Sequence, residues 1–356
     1  MAATKYLLLG ARGLVGRAVV AALEAEGGSE IVGLARGAPN FPTAVQFFSC
    51  DLTDRAACEA TFKKPELDAI THIVYAALQE LPDLIAGWQD PLQIETNTRM
   101  LENVLDFLEP RDHFTLLQGT KAYGAHLAPM KLPGRETDPR HPGGNFYWEQ
   151  EDLVRARQRD ATWTFSIMRP QIVCGVAVGS PMNMVMAIGI YAAVMRKLGE
   201  PLRFPGRGGF VTEAADADLL ARAILWAGRE PACANETLNV TNGDVLEWLS
   251  LWGVFADVFG IPEAEPKPTL LSQRLPPLAG VWDDIVLEHG PQPYTMTELV
   301  GDSWQFADAV LGYGGGRSTL LSTIKIRELG FHECVDTEQM FRGQLAALQD
   351  LRILPR

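Results

Sequence analysis

Cysteine is scarce in this chain: five residues among 356, at positions 50, 58, 174, 233 and 334, and no two form Cys-x-x-Cys. An odd, scattered set excludes a disulfide framework and a cysteine-based zinc site. The six histidines show no metal-ligand spacing either, so no metal site is expected. Basic residues are outnumbered, 31 Lys and Arg against 44 Asp and Glu, for a formal net charge of -13. With no Lys/Arg cluster to neutralise a phosphate backbone, a nucleic-acid partner is excluded. Long apolar runs are missing too. The longest, residues 182–195, contains Asn183 and falls short of the roughly 20 residues a membrane span needs, so it reads as a buried or pocket-lining helix. The N-terminus runs into Tyr6-Leu7-Leu8-Leu9 without a basic leader and apolar core, which makes a cytoplasmic location the expectation.

What is present is the composition of a globular protein, 47% hydrophobic and 21% charged. The length suits one large α/β domain with a smaller lobe. Short β-rich apolar runs at 5–9, 30–34, 45–50, 72–76, 114–118 and 164–168 alternate with helical periods, clearest near 13–26 and 91–108. That alternation predicts a doubly wound parallel sheet covered by helices. After Arg169-Pro170, Gly, Pro and Met become frequent, and 202–209 and 262–277 read as loops. Residues 236–240 nevertheless read as a further sheet strand and 216–228 as a helix begun and capped by Asp216 and Asp218.

Gly10, Gly13 and Gly16 form Gly-x-x-Gly-x-x-Gly directly after the first strand and before an Ala/Val-rich helix. Such a turn, here including Leu14 and Val15, brings backbone N–H groups close to a pyrophosphate. This is a Rossmann-type dinucleotide site. Residues 1–170 are accordingly expected to form the nucleotide-binding domain, with segments near 210–245 returning to it. Residues 171–356 otherwise form an interleaved, smaller substrate lobe. In NAD-specific sites an acidic residue ends the second strand. Here that strand ends Gly33-Leu34-Ala35-Arg36, and Arg36 with Arg12 would instead pair with a 2′-phosphate, which favours NADPH. Asp51 and Leu52 fit two roles, a contact to the adenine edge or a cap for the next helix. Ala76 and Ala77 permit close cofactor approach or tight packing. Arg169-Pro170 closes a strand toward the nicotinamide, and the stretch through Val173 is expected to offer backbone contacts to the carboxamide.

A reductase of this fold needs an acid beside the nicotinamide and a nearby cation. The usual Tyr-x-x-x-Lys pair, on one helix face, is absent. Tyr147 is the tyrosine candidate, but Glu151 stands four residues later. The suitably placed lysine is Lys121, in Gln118-Gly119-Thr120-Lys121-Ala122-Tyr123-Gly124, beyond the fifth strand. Tyr123 reads as a packing or positioning residue. Met182, Met184 and Met186 fit either an adaptable pocket or the core.

These segments, together with Asn145-Phe146-Tyr147, Arg169-Pro170, Ser180-Pro181-Met182-Asn183, Asn239-Val240-Thr241-Asn242-Gly243-Asp244 and the ending from Phe341 through Ile353-Leu354-Pro355, resemble one family over nearly the whole chain. It is that of the progesterone 5β-reductases and iridoid synthases, atypical extended short-chain dehydrogenases that reduce enone double bonds. The resemblance implies that Lys121 is the catalytic lysine moved onto a loop and Tyr147 the tyrosine facing the substrate carbonyl. Both would touch the cofactor. It implies hydride delivery to the β-carbon of an α,β-unsaturated carbonyl, with Tyr147 bonding the enolate oxygen. The charge of Lys121 would favour a tyrosinate-like Tyr147, and Phe341 would reach the substrate pocket. The chain departs from the family at Trp148, Ala122 and Gly37, where a second tyrosine, a histidine and a second arginine are common.

The rival readings are a carbonyl reductase, a sugar-nucleotide epimerase and a non-catalytic NADPH sensor. The absent Tyr-x-x-x-Lys pair disfavours the first two, and Arg36 further disfavours the second. Retention of both Lys121 and Tyr147 disfavours the third. The expected partner is a small-molecule enone, and a homodimer is the assembly considered.

Overall fold

Leu7, Leu8 and Leu9 are shielded on both sheet faces, as a continuous apolar run requires of a central parallel strand. In a computed structural model, which describes residues 4–81, 84–290, 292–301 and 304–356, that run is β1 (Lys5–Leu9). Around it lie β2 (Glu30–Ala35), β3 (Gln46–Ser49), β4 (His72–Tyr75), β5 (His113–Leu117) and β6 (Thr164–Pro170). Short β7 (Ile172–Cys174), β8 (Leu202–Arg203) and β9 (Ala214–Asp216) precede β10 (Glu236–Val240). Seven strands form one parallel sheet in the order β10-β6-β5-β4-β1-β2-β3. The order reverses between β1 and β4, and ligands of open α/β sheets bind at such a crevice outside the strands' carboxyl ends.

The helices are α1 (Leu14–Glu26), α2 (Arg55–Phe62), α3 (Leu84–Gly87), α4 (Pro91–Leu105), α5 (Phe146–Gln158), α6 (Met184–Leu198), α7 (Ala217–Ala227) and α8 (Trp248–Phe259). On one sheet face, α1 packs on α7 through Val19, Val20, Leu220 and Ile224. Against the other, Leu101 and Val104 of α4 and Val154 of α5 close a second core. The strands predicted from sequence stand within two residues of their expected ends, because apolar content and turn residues both mark them.

The later half has its own core, built on α6, α8 and the helix Thr337–Asp350. Every residue of α6 from Met184 to Met195 is buried. Met184 and Met186 are therefore core, whereas Met182 lines the main cavity. Two expected loops carry small elements: β8 pairs in parallel with a two-residue strand Glu263–Ala264, and Leu271–Arg274 forms one helical turn. These are too short to leave a periodic signal. Asp216 caps α7 by accepting from the backbone of Asp218 and Leu219, and Asp218 lies in that helix's first turn.

Candidate active site

The strands' carboxyl ends open into a cavity of about 1190 Å³, above the roughly 300–1,000 Å³ of a single-ligand site. Gly10, with φ 84°, begins its floor: a Cβ there would lie 2.7 Å from the Ala76 backbone. Gly13 precedes α1 without any side-chain cap, and the first turn of α1 holds no acid. Leu14 N donates to Ser180 Oγ at 3.3 Å, and the remaining N–H groups of that turn lie at the cavity under a favourable helix dipole. Gly10, Arg12, Gly13, Leu14 and Val15 all line the cavity; Gly16 lies beneath, where a Cβ would meet the Gly10 carbonyl oxygen at 2.4 Å.

Arg12 and Arg36 also line the cavity. A Cβ on residue 37 would sit 2.5 Å from Arg12 Nη1, so Gly37 makes room for that guanidinium, and Arg36 donates to Gln79 Oε1 at 3.3 Å. Asp51, Leu52, Ala76 and Ala77 complete this half of the wall. Asp51 does not cap α2; Asp54 does, accepting from Ala56 and Ala57. Asp51 instead accepts from Thr53 N and Oγ1, bonds that, together with the Arg36 charge, hold its carboxyl below the usual range.

At the other half, Lys121 and Tyr147 converge from separate elements. Lys121 sits on a turn of 3-10 helix, Thr120–Tyr123, that ends at Gly124 in the left-handed region. Asn145 couples the two: its side chain accepts from Tyr147 N at 3.0 Å as the cap of α5 and donates to the Lys121 carbonyl at 2.8 Å. Lys121 Nζ lies 5.5 Å from the Tyr147 ring centroid. The Tyr147 ring is buried and lines the cavity, with its hydroxyl beside Gly119, where a Cβ would lie 3.6 Å from it and 3.5 Å from the Pro170 carbonyl oxygen. Pro170 and Val173 line the wall next to it.

A model of the NAD dependent epimerase/dehydratase family matches residues 6–241. The chain belongs to that family. This family member is 32% identical to an (S)-8-oxocitronellyl enol synthase of Camptotheca acuminata, over 98% of this chain and 93% of the relative. It is 31% identical to a 3-oxo-Delta(4,5)-steroid 5-beta-reductase of Arabidopsis thaliana, over 98% and 92% respectively. Among solved structures, a UDP-glucose 4-epimerase of Thermus thermophilus in complex with NAD aligns with a TM-score of 0.67 at 20% identity, over 98% of this chain and 99% of that one. A Thermotoga maritima UDP-glucose 4-epimerase gives the same score at 18% identity, with the same coverage. These structural neighbours share the fold. A nicotinamide dinucleotide is the cofactor of the family, and the uncapped glycine turn with two arginines at its far end fits one.

Beyond the expected residues, the family member holds others that sequence reasoning passed over. Glu80 follows β4, and its Oε1 is 3.4 Å from Lys121 Nζ. Burial pushes the Tyr147 hydroxyl's pKa up, and Glu80 adds to the effect. Both effects favour the neutral phenol over the tyrosinate-like form expected from the Lys121 charge. Trp88 lies 4.5 Å from Lys121 Nζ and edge-on to His126, which burial and the Lys121 charge depress to a pKa of about 4. His126 is thus a neutral imidazole in the cavity wall. Phe341 does not line the cavity. It is wholly buried between Trp248 and Phe255, while Phe306 supplies an aromatic wall.

Glu151 also has a place. Its Oε2 accepts from Arg169 Nη2 at 3.0 Å, and Arg169 Nε donates to Gln118 Oε1 at 2.8 Å. Gln118 Nε2 then donates to the Tyr147 carbonyl at 2.8 Å. A buried ion pair therefore braces the start of α5. Tyr123 joins the same layer, with its hydroxyl on Asn239 Oδ1 at 2.6 Å and its ring 5.1 Å from Arg169. No helix among the described residues is long and apolar enough to cross a membrane, and none of their His, Cys, Asp and Glu cluster as metal ligands.

Proposed function

We propose that this chain is an NADPH-dependent enone reductase that saturates the C=C bond of an α,β-unsaturated carbonyl. One observation carries the reading: Tyr147 and Lys121, 5.5 Å apart from ring centroid to Nζ, converge from separate elements on the wall of a cavity with mixed polar and apolar lining. The enone chemistry in the names of the two plant relatives supports it. Arg12 and Arg36, with no acidic residue at the end of β2, support NADPH over NADH.

NADPH, when bound, supplies the hydride received by the substrate's β-carbon. Gly10, Gly13 and the first turn of α1 hold the pyrophosphate, Arg12 and Arg36 the 2′-phosphate, and Asp51 with Leu52 the adenine. Ala76 and Ala77 allow close approach of the dinucleotide, and the backbone from Pro170 to Val173 orients the carboxamide. Tyr147 donates its hydroxyl hydrogen bond to the carbonyl oxygen, where negative charge grows as the enolate forms. Lys121 adds positive charge beside it and steadies the ribose. Phe306, Trp88 and Leu84 exclude water and select an apolar substrate body. The α-carbon then takes its proton from solvent.

The test is incubation with NADPH and 2-cyclohexen-1-one or progesterone, with product identification. A saturated ketone is expected, and Tyr147→Phe should lower kcat by roughly 10²-fold, the scale of one lost oxyanion donor. An allylic alcohol would mean carbonyl reduction, and cofactor binding without turnover on any enone would mean a sensor. Full activity in Tyr147→Phe would remove the tyrosine from the scheme.

A further inference from the structure

Glu80 has no part in the reaction scheme above, yet it lines the cavity in contact with Lys121. Its side chain is 8% exposed and that of Lys121 12%, with 3.4 Å between Oε1 and Nζ. The other carboxylate oxygen accepts from Gln93 Nε2 at 2.5 Å, and Gln93 Oε1 accepts from Leu81 N at 2.9 Å. Asn97, one turn further along α4, grips the same loop, accepting from Gln79 N and donating to Gln79 O. The clamp leaves no spare room: a Cβ on Gly87 would come within 2.6 Å of Gln93 Oε1. Glu80 is thus held by a helix and aimed at the lysine.

The surroundings of Lys121 make that aim consequential. Its ammonium faces the rings of Trp88, Phe146 and Tyr147, at 4.5, 5.4 and 5.5 Å from their centroids. Among the described residues, the other titratable groups facing it are Tyr147 from α5 and His126 from the loop after Gly124, with His141 behind His126. None of these is an anion. Burial favours the neutral amine, and cation–π contacts offset only part of that. Burial indeed lowers the affinity of Lys121 for its proton, and Glu80 acts the other way.

We propose that Glu80 is a positioning residue that keeps Lys121 protonated and fixed beside Tyr147 through the neutral and mildly alkaline range. The proposal rests on the reading of Lys121 as the cation of this site. It adds that the cation depends on a carboxylate from the loop after β4, which stands where no short-chain dehydrogenase motif would direct attention. That loop reaches both ends of the groove, since Gln79 also holds Arg36.

The test uses the ligand-free protein with isotope-labelled lysine side chains, the Lys121 signal being assigned by its loss in Lys121→Arg. In the wild type Lys121 should be charged at pH 7. Glu80→Gln should move its titration midpoint down by at least about one pH unit, a tenfold change in proton affinity. NADPH affinity, measured by fluorescence across pH, should fall off on the alkaline side earlier by the same shift. Glu80→Asp should restore most of it, which a merely structural role would not predict. An unchanged midpoint in folded Glu80→Gln overturns the proposal. So does a wild-type Lys121 that is already neutral at pH 7, a result available even if the variant does not fold. Neither readout needs a substrate, so failure of enone reduction and failure of the Glu80 assignment are separate outcomes.

Discussion

Replacing Glu151 by glutamine removes one negative charge from a buried network while preserving its shape. The Glu151 and Arg169 side chains are 8% and 7% exposed, and their contact is 3.0 Å. Burial pushes the Glu151 carboxyl up, but the guanidiniums of Arg169, Arg155 and Arg140 outweigh it and hold the group below the ordinary carboxylate range. Without the carboxylate, Arg169 keeps a charge that water cannot reach. Breaking a buried pair in this way costs about 3–5 kcal/mol. Asp152, one residue on, is the control: its pair with Arg140 is 61% and 39% exposed, so Asp152→Asn should cost no more than about 1 kcal/mol. The assay is urea unfolding at pH 7 followed by tryptophan fluorescence and far-UV circular dichroism, whose coincidence licenses the two-state comparison. Because Gln118 links Arg169 to the Tyr147 carbonyl, turnover should fall with stability in Glu151→Gln and stay near wild type in Asp152→Asn. Equal effects of the two substitutions, or a loss below about 1 kcal/mol at Glu151, would refute the buried-pair account. Glu151→Lys, which writes Tyr-x-x-x-Lys back into the chain, should be worse still, since it sets an ammonium among three guanidiniums.

Arg36→Ala should raise the Kd for NADPH by at least about tenfold and barely change that for NADH, the scale of one lost charge-assisted contact; equal losses by titration calorimetry would show Arg36 to be a surface charge. His113 is buried neutral, with its pKa pushed down to about 3 by burial and the neighbouring His72. The unfolded chain therefore binds a proton that the folded one refuses as pH falls below about 6.5, and stability should drop by about 1.4 kcal/mol per pH unit from this group. Glu213, raised to about 7 by burial, acts in the opposite direction between its unfolded pKa and neutrality. Urea midpoints from pH 7 to 4 should thus decline less steeply in His113→Gln than in the wild type. Parallel declines would exclude His113 as a source.

The sheet and the glycine turn were legible because each is fixed locally: β1 is apolar on both faces, and Gly10 must adopt a φ of 84° against the Ala76 backbone. The polar motifs behind the resemblance turn out to be clamps. Asn145 ties the Lys121 loop to α5, Asn183 caps α6 and bonds the Gly175 carbonyl, and Asn242 with Asp244 pins the start of the last long helix. Glu80 was illegible for the opposite reason. Nothing in Gln79-Glu80-Leu81 says that a carboxylate there will face a lysine 41 residues later; only the adjacency of β4 and β5 does.

Phe341 marks the same boundary from the other side. It lies on the helix Thr337–Asp350, and a helix position does not fix which face meets the cavity. Trp248 and Phe255 claim that ring for the core, with centroids at 5.7 and 5.2 Å. The cavity takes Phe306 instead, from a short helix whose Asp308 is anchored by Leu271 N and Ser272 Oγ. Local geometry is legible in sequence where the backbone itself is constrained, as at Gly10. Sequence falls short where a side chain's direction depends on how a whole lobe packs, as at Phe341 and Phe306.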